Sequence, residues 1–248
     1  MKKSRHLATT LSLLCLAILS FGIVLNVRTQ VPGRNPKPDF KSFPIVDFNK
    51  SESTDSEEKA KRQTKDKRYS KRYLPAINET SNELYSSRDW DRGLPALPIK
   101  QSAAIIIGTV TLAEAHLTQN RTGIYSEFAV SVDTVVKDDA SQSIQAGSTV
   151  SVERNGGRVR MPSGKIVVSW TRNQNMPEVG SRYALFLTHD FEVKGDVANS
   201  FYLLTGYQLR SGRVFPLDAY AAAKVYMDRD ESVFLNDLLS AIANPPTN

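Results

Sequence analysis

The chain has 248 residues, with 32 basic and 26 acidic side chains, three histidines and one cysteine, Cys15. A single cysteine excludes an internal disulfide framework and a thiolate zinc cage. Residues 1 to 74 hold 16 basic and 7 acidic side chains, whereas residues 75 to 248 hold 16 and 19. The part with folding capacity is therefore mildly acidic and lacks the basic stripe that nucleic-acid binding requires.

Lys2, Lys3 and Arg5 precede Leu7 to Val27, a run of 21 residues without a charge. As a helix this run would span roughly 31 Å, one hydrocarbon core. It also has the basic start and apolar middle of a secretory signal peptide. Either reading takes the chain out of the cytoplasm. A retained run anchors it in the membrane through residues 7–27, facing outward, and a cleaved one leaves it secreted or periplasmic. Cys15 follows Leu14 and the apolar run continues past it, which argues against a lipoprotein.

Residues 28–92 have the composition of a disordered, basic linker: four early prolines, SESTDSEE, then KAKRQTKDKRYSKRY. So little apolar surface cannot offset the entropy of ordering. As a coil its 65 residues would reach roughly 40 to 50 Å. Lys59 to Arg72 carries eight basic side chains against Asp66. Such a run suits adhesion to anionic lipid or cell-wall polymer, or serves as a solvated stretch that keeps the linker extended.

The folded domain is expected over residues 93–245. Ala103 to Val110 is apolar on both faces, as a buried central strand is, and Gly108 marks a bulge or bend. Ile124 to Lys137 alternates, with Phe128, Val130 and Val132 on a dry side and Tyr125, Glu127, Ser131 and Asp133 on a wet one. Thr149 to Arg154 is a further strand, Asn155-Gly156-Gly157 a hairpin turn, and Arg158 to Met161 the return strand. Pro162-Ser163-Gly164 turns into Lys165 to Trp170. Arg182 to Thr188 is again apolar on both faces, and Phe201 to Tyr207 with Gly212 to Leu217 form a last hairpin. Asp228 caps a helix over about 231 to 243 with Glu231 three residues on. Seven or eight short strands and one C-terminal helix indicate a mainly β fold, a small antiparallel OB-like barrel or a sandwich.

The series Ile107-Gly108-Thr109-Val110, Val135-Val136-Lys137-Asp138, Gly147-Ser148-Thr149-Val150 and Gly180-Ser181-Arg182-Tyr183-Ala184-Leu185-Phe186-Leu187 resembles the layout of netrin-like domains, the class of the tissue inhibitors of metalloproteinases. The resemblance covers about 85 residues, Ile105 to Leu187, and implies an OB-type barrel. The chain also resembles exported bacterial proteins that carry GGRVRMPSG and LTGYQLRSGRVFPLD. Those inhibitors chelate zinc through a free N-terminal cysteine and are rich in disulfides. This domain has no cysteine, so the resemblance transfers a fold and not an inhibitory mechanism.

No nucleophile elbow is present, and His189 beside Asp190 is no dyad by adjacency, because strand neighbours point opposite ways. Glu114 and His116 share a strand face but supply at most two metal ligands. Arg154, Arg158 and Arg160 flank the glycine turn, with Trp170 and Arg172 at the end of the next strand. Arginines beside an exposed aromatic suit an anionic or sugar-like ligand; paired with carboxylates around a core tryptophan, they would be structural. The leading expectation is a non-catalytic binding module, envelope-tethered or secreted, for a protein or an anionic envelope polymer, with no cofactor, metal or nucleic acid. An envelope hydrolase using His189 or His116, and a structural spacer, are the alternatives. Oligomeric state is left open.

Overall fold

The computed structural model describes residues 38–50, 54–70, 74–86, 90–189 and 200–244. The apolar leader lies outside them, as do the signal-peptide and anchor readings placed on it. Among the described residues no helix is long and apolar enough to cross a membrane. The elements run in the order β1 (Ile45–Asp47), α1 (Ser56–Tyr69), β2 (Leu84–Ser86), β3 (Ala104–Leu117), β4 (Ile124–Lys137), β5 (Thr149–Asn155), β6 (Gly157–Arg160), β7 (Ile166–Thr171), β8 (Arg182–Thr188), β9 (Ser200–Arg210), β10 (Arg213–Pro216), β11 (Arg229–Asp230) and α2 (Glu231–Ala243).

Strands β3, β4, β5, β9 and β8 pair in that order, and β8 pairs back onto β3, which closes a five-strand barrel compatible with an OB-like fold. The barrel is mixed rather than purely antiparallel, because β5 and β9 run parallel. The excursion through β6, β7 and β8 supplies the long crossover that a parallel pair needs.

The runs that are apolar on both faces have two cores to fill. Ala104, Ile106 and Val110 of β3 join Tyr183, Leu185 and Leu187 of β8 in one cluster with Phe128, Val130 and Val152. The alternate residues Ile105, Ile107, Ala184 and Phe186 meet Phe234 and Leu238 of α2 in a second. Gly108 sits at a register shift, where a Cβ would lie 2.5 Å from the Ser131 carbonyl oxygen. The helix N-cap is Asp230, whose side chain accepts from the Ser232 and Val233 amides. Asp228 instead takes a left-handed φ of 57° and pairs with Arg213.

Two further expectations are corrected. Asn155-Gly156-Gly157 does not close a hairpin: β5 stays in the barrel, while β6 pairs with β7 and β1 in a separate four-stranded sheet. The glycines make a corner, where Gly156, at φ 110°, passes so close to Ser169 that a Cβ would sit 2.7 Å from its carbonyl oxygen. The second correction concerns residues 28–92. Their described portion holds β1, α1 and β2, and β1 and β2 add in parallel to the two edges of the β6–β7 hairpin. Phe43 is 1% exposed inside the barrel cluster, and Val46 and Ile77 pack with Val159, Met161 and Val167. The apolar residues here fall in short clusters, Phe43-Pro44-Ile45-Val46 and Leu74-Pro75-Ala76-Ile77, inside a long polar stretch, so averaging by composition hides them.

Replacing Phe43 with Ala is expected to cost about 3 to 5 kcal/mol, read as a lower urea midpoint for the full chain. A loss under about 0.5 kcal/mol would mean that this segment merely touches the barrel.

Candidate functional site

Helix α1 begins at Asp55, whose carboxylate accepts from the Glu57 and Glu58 amides. Glu57 and Glu58 in its first turn and Lys67 and Arg68 in its last complement the helix dipole. Pairs of Glu57 with Lys61 and Glu58 with Arg62 add support at i,i+4. The helix is therefore self-consistent although its composition is that of a linker. Arg62, Lys65 and Tyr69 recur at helical spacing and define the face turned to the barrel.

The barrel offers that face a charged rung and an aromatic one. Glu114 of β3, Glu127 of β4 and Glu153 of β5 stand directly opposite one another across the strands. Like charges in such pairs repel. Lys65 bridges two of them, its Nζ lying 3.0 Å from Glu127 Oε1 and 2.9 Å from Glu153 Oε1. Glu153 is fully buried and is satisfied by Arg68 Nη1 and by the Tyr69 hydroxyl, each 3.0 Å from Oε2, and by the Ser200 hydroxyl. Burial pushes its carboxyl up, but Lys65, Ser200 and Arg68 outweigh this and hold it below the ordinary value. Glu127 has fewer donors, and burial raises it despite Lys65. One rung along, Tyr69 stacks on Tyr125 with ring centroids 4.4 Å apart, and the His116 ring lies 5.1 Å from that of Tyr125.

His116 is 3% exposed. Its Nδ1 accepts from Arg62 Nη1 at 2.6 Å. A guanidinium can only donate, so Nδ1 is bare and the ring proton sits on Nε2. Nε2 has no hydrogen-bond partner and lies 3.7 Å from Glu127 and 4.0 Å from Glu114. Burial, then Arg62, Lys50 and Lys65, lower the ring pKa to about 3. Among the described residues no group of three or more His, Cys, Asp or Glu side chains could hold a metal.

Beside this contact a cleft of about 210 Å³ opens between α1, the segment after β1 and the β3–β4 turn. Lys50, Lys59, Arg62 and Arg121 line it, against Asp47 and Asp66, and His116 belongs to the same lining. Asp47 pairs with Arg160 at 3.1 Å and Asp66 accepts the Gln119 amide at 3.1 Å. Arg121 is set by a clamped turn. Asn120 Oδ1 takes the Thr118 and Thr122 hydroxyls and the Thr122 amide, Arg121 adopts φ 58°, and its guanidinium lies 4.2 Å over the Phe48 ring.

The arginines singled out in the sequence do not converge. Arg154 is fully buried, with Nη1 and Nη2 each 2.8 Å from Asp218, and is no part of a surface. Asp218 in turn takes the Thr205 hydroxyl and the Asn175 amide. Arg158 donates to the carbonyls of Phe43 and Lys41, and Arg160 to Asp47, so both tie down the chain around β1. Trp170 is 8% exposed, donates to Glu83 at 2.6 Å and packs against Phe40 and Tyr85. Arg172 donates to the Tyr85 hydroxyl. Apart from Arg154, these side chains receive the segments around β1 and β2.

His189 meets Asp139 at 2.5 Å and Ser141 at 3.3 Å, both through Nε2. A serine triad needs carboxylate and serine on opposite ring nitrogens. This cluster lacks that relay, and His116 faces an arginine instead of a nucleophile.

Lys65→Ala leaves Glu127 and a buried Glu153 side by side, and is expected to destabilise the full chain by about 3 to 5 kcal/mol in urea. Adding Glu153→Gln should return a measurable part of that loss; additive losses would show that the two groups do not interact. The geometry has to carry the function by itself, since no family model matches the chain and no curated protein matches it.

Proposed function

We propose that the chain is a non-catalytic binding module, exported by its leader and held at or released from the cell envelope, that takes the anionic groups of an envelope polymer in the cleft beside α1. We read its barrel as a netrin-like variant of the OB layout; the strand order supports this, and the absence of cysteine from the domain separates it from zinc-chelating inhibitors.

One observation carries the ligand class. Lys50, Lys59 and Arg121 turn into a single cleft, and among the described residues none of them forms an ion pair. The cleft carboxylates already have partners, Asp47 in Arg160 and Asp66 in the Gln119 amide. Three cations gathered in one cleft, with no ion pair among the described residues, favour an anion there.

The test uses the full chain on immobilised polyphosphate and on immobilised polyglutamate, eluted with salt. Changing Lys50, Lys59 and Arg121 together to Ala should weaken retention at least roughly tenfold, about 1.4 kcal/mol. An equal-charge control with Lys61, Lys67 and Lys224 changed should elute like the unmodified protein. Equal losses in both variants would reduce the interaction to net charge, and no loss in either would remove the cleft as the site.

A further inference from the structure

We infer that His116 is a proton-operated latch for helix α1: the neutral ring holds the helix on the barrel through Arg62, and a proton arriving on Nδ1 expels that guanidinium and frees the helix. The inference concerns the contact between helix and barrel and does not depend on what the cleft binds.

The argument is geometric. Arg62 donates to Nδ1 at 2.6 Å, and it cannot accept. A second ring proton would therefore place two N–H donors, both cationic, against each other at a ring that is almost fully buried. Arg62 is poorly placed to swing away alone, because Glu58 Oε1 holds its Nε at 3.1 Å and its Nη2 at 2.7 Å. It moves as part of the helix. The released ring has a new partner waiting, since Glu127 and Glu114 stand 3.7 and 4.0 Å from Nε2, just beyond hydrogen-bond reach. Glu127 can thus exchange Lys65, its partner while α1 is docked, for a protonated His116.

The charged groups facing the contact are Arg62, Lys65 and Arg68 with Glu58 and Asp66 on α1, Lys50 after β1, Glu114 on β3, Glu127 with Tyr125 on β4, and Glu153 on β5. The sign follows from the states of the ring. Docked, it stays neutral down to about pH 3 through burial and the cations Arg62, Lys50 and Lys65. Free, it titrates near 6.5. Release takes up a proton, so docking is fully favourable above the free value and weakens as pH falls through it. At pH 5 the docked-to-released ratio should have dropped about 30-fold relative to pH 7.5. Glu153, held low by its donors, adds to the loss only below the ordinary carboxylate range. Glu127, raised by burial, acts in the opposite direction, because its protonation relieves a cost of the docked state.

The experiment follows two signals in the full chain between pH 7.5 and 4.5: the His116 ring resonance, and the opening constant of the amides of residues 62–69 from hydrogen exchange corrected for intrinsic rate. The opening constant should rise about 30-fold from pH 7.5 to 5 while barrel amides of β3 and β4 keep their protection. In His116→Asn, which keeps an acceptor near Nδ1 without titrating, it should stay flat over that range. An equal rise in that variant would assign the effect to the carboxylates and overturn the latch. So would a ring in the unmodified chain that titrates near 6.5 with α1 still protected, a reading that decides the matter even if the variant does not fold.

Discussion

Strand β5 carries two fully buried, oppositely charged neighbours, Glu153 and Arg154, and most of the molecule is arranged to satisfy them. Adjacent residues on a strand face opposite sides of the sheet, so the two charges cannot neutralise each other and each needs its own partners. Arg154 finds Asp218 and the carbonyls of Leu203 and Leu204, which ties the β9–β10 region and the segment after it to the barrel. Glu153 finds Lys65, Arg68 and Tyr69, which requires α1 to lie on the barrel's outer face. An uncompensated charge at either position would cost several kcal/mol. Segments on either side of β5 in the sequence, residues 65–69 and 203–218, are thus held by one strand.

This arrangement pairs part of the basic surplus before residue 75 with acidic residues of the barrel. The surplus of cations in α1 meets a surplus of carboxylates on β3, β4 and β5, where Glu114, Glu127 and Glu153 form a row that an open barrel would present to solvent as three repelling charges. Lys65 at 6% exposure is a partner in the fold rather than a surface charge. Lys59, six residues earlier on the same helix, is exposed and turns to the cleft. The run from Lys59 to Arg72 is therefore divided by helical phase: in its described part, one side packs on the barrel and another faces the cleft or solvent.

Much of the architecture was legible because it rests on local periodicity. The two-faced apolar runs of β3 and β8, the alternation of β4, the β6–β7 and β9–β10 hairpins and the helix α2 each leave a signature within a dozen residues. The cap of α1 was legible too: Asp55-Ser56-Glu57-Glu58 places an acidic residue three positions after an N-cap aspartate, the same form that drew attention to the C-terminal helix. It was outweighed by the polarity of its surroundings. Arg158 and Arg160 lie toward one side of β6, as the pattern suggested, but the hydrogen bonds they make go to Lys41, Phe43 and Asp47, residues more than a hundred positions away.

By itself the sequence determined the period of the barrel strands and of the C-terminal helix, because periodicity depends on neighbours within a few turns of chain, and a charge asymmetry that had to be resolved somewhere. Only the tertiary structure decided that the parallel pairing of β5 with β9 closes the barrel, that β6 leaves it, and that a polar helix docks on its wet face. It alone brought Lys50, Lys59, Arg121 and His116 around one cleft. The physical reason is common to all of these. A buried ion pair or an edge strand becomes favourable only when a distant partner is already in place, and the strength of that coupling depends on distance and burial in space, neither of which is written in the spacing along the chain.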